Sequence, residues 1–210
     1  WWFSIAEGDF DQDGDLDLVL GNLGNNYKYQ ASQDAPIDLY VKDFDKNKSK
    51  DLVLSYYNEE KQYPVRGRQC SADQIPGIKT KFKNYESFAN ATVSEIYGKA
   101  QLKEAQHFSI KDFSSIIMKN NGAGNYEKMT LPIECQLSAI SDILIKDFNQ
   151  DEHLDILLAG NLYVSEVETP RSDAGIGHLL LGDGQFNFSG QSYQDSGLLL
   201  NSDVKKMVTI

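Results

Sequence analysis

Short apolar stretches separated by polar turns run along the chain, and three of them flank unusually acidic loops. In "IDLYVKDFDKNKSKDLVLSYYN", from Ile37, Leu39 and Val41 take every second position before the loop, and an apolar run follows it. In "SDILIKDFNQDEHLDILLAGN", from Ser141, Ile143 and Ile145 do the same. "GDFDQDGDLDLVLGN", residues 8–22, repeats the loop and runs straight into Leu18-Val19-Leu20. Period-two alternation and short apolar runs bounded by turn residues predict strands rather than helices. Each stretch is therefore expected to be a strand–loop–strand hairpin, and their recurrence points to a repeat architecture.

The first loop sets acids on every second residue: Asp9, Asp11, Asp13, Asp15 and Asp17. Carboxylates at that density repel unless something offsets them. With the first Asp of each loop as position 1, positions 1, 3, 5 and 9 carry side-chain oxygens in all three copies. These are Asp9, Asp11, Asp13 and Asp17; then Asp43, Asp45, Asn47 and Asp51; then Asp147, Asn149, Asp151 and Asp155. Alternate oxygens converging from a tight loop suit a hard cation the size of calcium, which takes six to eight oxygens at about 2.3–2.6 Å. A backbone carbonyl at position 7 would come from Asp15, Ser49 or His153. An EF-hand opens in the same way but needs a bidentate Glu at position 12 and helices on both sides. Position 12 here is Leu20, Leu54 or Leu158, and both flanks read as strands.

The pattern Asp-Phe-Asp-x-Asp-Gly-x-x-Asp-Leu, fullest in Asp9 to Leu18, resembles the FG-GAP or VCBS repeat of integrin-α-like β-propellers. "IIMKNNGAGNYEKM" (116–129) and "HLLLGDGQFNF" (178–188) resemble the outer hairpins of such blades, and "RSDAGIGHLLLGDG" is similar to large bacterial surface proteins built of these repeats. The likeness covers most of the chain except about residues 64–108. It implies an all-β fold: about three blades of antiparallel strands from an incomplete β-propeller, with structural Ca²⁺ in the loops. It also implies adhesion, ligand binding or scaffolding.

The copies differ in ways that rank them. Position 6 is Gly14 in the first loop, where a sharp turn favours φ > 0, but Lys48 and Glu152 in the others. A non-glycine there costs about 1 kcal/mol. Lys46, Lys48 and Lys50 also cancel the acids of the second loop, so affinity is expected to fall in the order first, third, second. Lys-Asp-Phe at 111–113 imitates the motif, but Ser114 and Ile116 follow where ligands should stand.

Residues 64–108 read as a helical insertion in one blade. "TVSEIYGKAQLKEAQ" opens with Thr92 and Glu95 at capping-box spacing, Leu102, Ala105 and Gln106 suit a short helix, and "GIKTKFKNYESF" suits another. Lys79, Lys81, Lys83, Lys99 and Lys103 gather there on an otherwise acidic chain, as a partner surface or as a solvated cap. "SDVKKMVTI" (202–210) matches the apolar approach to a further loop. With the Trp1-Trp2 start, it leads us to expect a piece of a longer protein that supplies the remaining blades.

A net charge of −11 speaks against nucleic acid, which needs a basic surface. No apolar run approaches the roughly 18 residues of a membrane helix. Cys70 and Cys135 are too few for a zinc site or a disulfide scaffold, and are either a pair or two inert residues. His107, His153 and His178 fall in separate segments without ligand spacing. Acids held ionised on a metal shuttle protons poorly, so no catalytic residue is expected. Arg66, Arg68 and Arg171 near turns serve either salt bridges or a ligand carboxylate. The expectation is a non-enzymatic, calcium-binding module outside the cell, on its surface or in the periplasm, with a protein or glycan ligand. The alternative is the accessory propeller part of a secreted polysaccharide-acting enzyme.

Overall fold

The computed structural model describes residues 1–165 and 169–209. Ile210, the last residue of the expected C-terminal approach, lies outside them. The fold is predominantly β, as the alternation predicts, with three four-stranded antiparallel sheets and a few short helices.

The strands run β1 (Ser4–Gly8), β2 (Asp17–Gly21), β3 (Ile37–Lys42), β4 (Asp51–Asn58) and β5 (Lys61–Pro64). Five helices follow: α1 (Arg68–Gln74), α2 (Gly77–Lys81), α3 (Tyr85–Ala89), α4 (Val93–Tyr97) and α5 (Lys99–Glu104). Then come β6 (Gln106–Ile110), β7 (Ile116–Asn120), β8 (Tyr126–Thr130), β9 (Asp142–Lys146), β10 (Asp155–Ala159), β11 (His178–Gly182) and β12 (Phe188–Gln191). A short helix, α6 (Tyr193–Ser196), follows β12.

The chain divides into two units, one made of Trp1–Lys28 with Phe113–Ile210 and the other of Tyr29–Asp112. The first unit holds two antiparallel meanders, β1-β2-β7-β8 and β9-β10-β11-β12. Strand β1 packs against β9, and the core between the meanders gathers Phe10, Val19, Ile117, Ile143, Ile156 and Leu180. On β2, Asp17, Val19 and Gly21 are buried while Leu18 and Leu20 are only half-buried, the period of a strand with one face on a core. The hairpins expected at 116–129 and 178–188 are present as β7–β8 and β11–β12.

The second unit is inserted in the chain between β2 and β7. Its sheet runs β5-β4-β3-β6, and the helices pack on one face through Val53, Phe44, Ile78, Phe88, Val93 and Ile96. Within the span 64–108 the helices occupy Arg68–Glu104, and Gln106–Ile110 returns as a strand beside β3. The helix expected over 92–106 breaks into α4 and α5 at Gly98, whose φ of +88° no helical residue adopts. Its capping box forms as expected, Thr92 Oγ1 accepting from Glu95 N–H and Glu95 accepting from Thr92 N–H. The approach expected at 202–210 is not a strand over its described residues.

Candidate metal centre

All three acidic loops join adjacent antiparallel strands: β1 to β2, β3 to β4, and β9 to β10. Within each, position 1 accepts the backbone N–H groups of positions 5 and 6. Asp9 takes those of Asp13 (3.1 Å) and Gly14 (3.0 Å); Asp43 takes those of Asn47 (3.0 Å) and Lys48 (2.8 Å). Asp147 takes those of Asp151 (3.2 Å) and Glu152 (2.9 Å). Position 5 then accepts the N–H of position 7: Asp13 from Asp15, Asn47 from Ser49, Asp151 from His153. Short acids bonding to their own backbone a few residues on is the turn chemistry of Asp and Asn, here repeated three times. It accounts for part of the offset to the repulsion among the acids.

Position 9 opens the second strand of each hairpin and is buried each time, as Asp17, Asp51 and Asp155. Its Oδ2 accepts the N–H of position 2, from Phe10 (3.1 Å), Phe44 (2.8 Å) or Phe148 (2.7 Å). In the first unit its Oδ1 also accepts from the third strand, Asp17 from Asn120 (2.8 Å) and Asp155 from Gly182 (2.9 Å). Burial pushes the carboxyls of Asp17 and Asp51 above their ordinary pKa, against the pull of these backbone bonds. Asp151 moves the other way, held down by the His153 N–H and the Asn149 side chain.

Position 6 has φ of +93° at Gly14, +73° at Lys48 and +71° at Glu152, so all three loops make the turn that only the first makes with glycine. Position 4 is left-handed as well, at Gln12, Lys46 and Gln150, a requirement that no glycine there advertises.

Oxygens of Asp9, Asp11 and Asp17 lie within 4.8 Å of one another, as do those of Asp43, Asp45 and Asp51. Two ligands on one calcium, each at about 2.3–2.6 Å, can be no more than about 5 Å apart, so both clusters fit that ion. Asp11 adds a second sign, because its Oδ1 is buried with no hydrogen-bond partner. An acid oxygen left so has a desolvation cost that a cation would remove. Its other oxygen accepts from Lys119 Nζ at 2.8 Å, and Asp11 in turn raises the pKa of that lysine. In the third loop the side chains at positions 3 and 5 are bonded together, Asn149 Nδ2 donating to Asp151 at 2.8 Å. At position 7 the His153 ring packs on Gly184, and its Nδ1 is buried without a partner.

The remaining sequence candidates take structural places. Arg68 donates to the carbonyl of Phe82 (2.6 Å), and Arg171 pairs with Asp173 (2.7 Å) above the Tyr163 ring. Lys79 pairs with Asp73, and Lys81 donates to the carbonyls of Glu95 and Ile96. Cys70 and Cys135 are both free; burial pushes the Cys135 thiol up to about 12, so it is inert as a thiolate.

Several site-building residues escaped the sequence reading. Asn22 and Asn161 are fully buried just after the second strands. Asn22 Oδ1 accepts from Leu23 N–H; Asn161 joins Gly175, Ser138 and Ser202. Their signal was the Gly-Asn-Leu shared by 21–23 and 160–162. Asp38 and Asp142, each five residues before a loop's first Asp, are buried too. Asp38 accepts from Gln62 (2.8 Å), from Ser109 Oγ and, at 2.9 Å, bonds His107 Nε2, whose ring stacks on Tyr40. Asp142 holds Lys206 Nζ and Met207 N–H.

No family model, curated protein or solved structure matches the chain.

Proposed function

We propose that this protein is a calcium-stabilised segment of a β-propeller of the FG-GAP or VCBS type, acting outside the cell as a structural or ligand-binding module without catalysis of its own. The observation that carries the reading is the threefold recurrence of one loop: the same ligand spacing, the same N–H bonds to positions 1, 5 and 9, the same left-handed turns. Two sheets of the first unit, each a four-stranded meander entered through such a loop, support the blade assignment.

In the first loop the side chains of Asp9, Asp11, Asp13 and Asp17 and the carbonyl of Asp15 would hold the ion. The second would use Asp43, Asp45, Asn47, Asp51 and the Ser49 carbonyl; the third Asp147, Asn149, Asp151, Asp155 and the His153 carbonyl. A bound cation supplies positive charge that ties the two strands of each hairpin together. Ions that bind only the folded loop stabilise it by linkage, by about 2.7 kcal/mol per site at a hundredfold excess over Kd. Extracellular calcium modules bind with Kd of about 10⁻⁴–10⁻³ M, which suits a place where calcium is abundant, and the place we propose is the cell surface, the periplasm or the medium. The partner we propose is a protein or a glycan.

The test is a thermal melt in excess EGTA and in millimolar calcium chloride, with Asp11→Ala and Asp45→Ala alongside. The expected result is a calcium-dependent rise in Tm, diminished in Asp11→Ala and largely kept in Asp45→Ala. Identical melts in EGTA and calcium would overturn the reading.

A further inference from the structure

The three loops share the N–H bonds from positions 5 and 6 to position 1, from position 7 to position 5 and from position 2 to position 9, and they differ at position 3. Asp45 Oδ1 accepts the N–H of Asn47 (3.1 Å), and Asn149 Oδ1 accepts that of Asp151 (3.2 Å). Asp11 makes no bond of this kind. One of its oxygens is bound by Lys119 and the other is buried without a partner.

Lys119 stands on β7 one residue beyond the Leu18–Met118 pair, and therefore opposite Asp17. The corresponding place in the β9-β10-β11-β12 sheet, one residue beyond the Ile156–Leu180 pair and opposite Asp155, belongs to Leu181. The correspondence is fixed independently, because the next residues, Asn120 and Gly182, donate their N–H groups to Asp17 and Asp155 in the same way. In the remaining sheet β5 pairs with β4 only as far as Ser55–Pro64, so no residue of β5 stands opposite Asp51, whose partner there is Lys42 of β3. A lysine facing the acidic loop from the third strand is thus peculiar to the first sheet. Its ammonium is held from a second side by the Phe186 ring, 4.5 Å from the centroid. The side chains of Lys119 and Asp11 are only 29% and 17% exposed, so the pair is screened less than a surface ion pair.

We propose that Lys119 is a tethered cation that competes with the divalent ion for Asp11, so that the first loop fills by exchanging an ammonium for calcium. This rests on the calcium reading above and adds a control on that site. In the cation-free loop Lys119 neutralises one acid of the group Asp9, Asp11, Asp13 and Asp17, which stabilises the empty state. Calcium has to displace it, which sets the affinity of the first loop below what its ligand acids and Gly14 would otherwise give. The cation–π contact with Phe186 leaves the released ammonium a place to rest.

The experiment is calorimetric titration of calcium chloride into the whole chain and into Lys119→Leu, which copies Leu181, with melts of both in EGTA. Lys119→Gln keeps a polar side chain and serves as a second variant should the leucine perturb folding. The expected result is tighter binding at one site by about ten- to hundredfold, the range for loss of a charge-assisted bond, together with a lower Tm in EGTA. Unchanged or weaker binding in both variants, with the unmutated chain binding calcium, would overturn the role of Lys119 and leave the loop reading intact. Absence of calcium binding in the unmutated chain and in both variants would overturn both.

Discussion

Gln12 Nε2 donates a hydrogen bond to the backbone carbonyl of Glu152 at 2.9 Å, so the tip of the first acidic loop is tied to the tip of the third. Behind them, Phe10 at position 2 of the first loop meets Phe186 and Phe188 of the β11–β12 hairpin edge-on. Two loops whose tips share a hydrogen bond should not fill independently. Asp147→Ala is expected to weaken calcium binding at the first loop by about two- to tenfold, the scale of one net hydrogen bond. In a Gln12→Ala background that effect should shrink toward nothing. Calorimetric titration of the four chains measures the coupling, and equal first-loop affinities throughout would show that the loops act alone.

Acids at positions 3 and 9 should behave differently in the absence of calcium. Asp17 is buried and satisfies two backbone N–H groups, those of Phe10 and Asn120. Asp17→Ala orphans both, at a cost of about 2–4 kcal/mol, and should lower Tm in EGTA as well as in calcium. Asp11→Ala loses only the pair with Lys119 and removes an acid with one unpartnered oxygen, so it should lower Tm in EGTA by less than Asp17→Ala does while losing the calcium-dependent rise. Equal losses for the two variants in EGTA would contradict this division of roles.

The turn at position 6 offers a stabilising change. Lys48 and Glu152 hold φ of +73° and +71° where the first loop has Gly14. A left-handed side chain costs about 1–2 kcal/mol, and glycine returns about 0.5–1 kcal/mol of that through the entropy of the unfolded chain. Lys48→Gly and Glu152→Gly should each stabilise the protein by about 0.5 kcal/mol in urea unfolding.

His178 supplies a pH dependence. Burial pushes its pKa below the ordinary histidine value, with Glu134 opposing the shift. A base whose folded pKa is depressed binds its proton more readily in the unfolded chain, so stability rises with pH across that window and is lost as pH falls below about 6.5. Urea midpoints at pH 7.5 and 5.5 should therefore differ more for the unmutated chain than for His178→Gln. The same difference in both would remove His178 from the account.

The lysines on the helices of the second unit stand out in composition, yet Lys79 and Lys81 are bound to Asp73 and to the end of α4. Only three dimensions show where a charged side chain's partner lies.

Short-range chemistry is what the residue order alone makes legible. The loop bonds from positions 1 and 5 span two to five residues, so the spacing of Asp and Asn, together with the apolar alternation on either side, was enough to predict three hairpins and their acidic loops. The Thr92–Glu95 cap was legible for the same reason. The tertiary structure decided the rest, because those partners are far apart in the chain. Asn120 reaches Asp17 across 103 residues and Lys119 reaches Asp11 across 108, since a whole unit is inserted between β2 and β7. No local pattern marks a strand as the third of a sheet begun before an insertion, or places β6 on the far side of β3. Which acid stays open to a cation and which is spent on backbone is settled only when those distant strands pair.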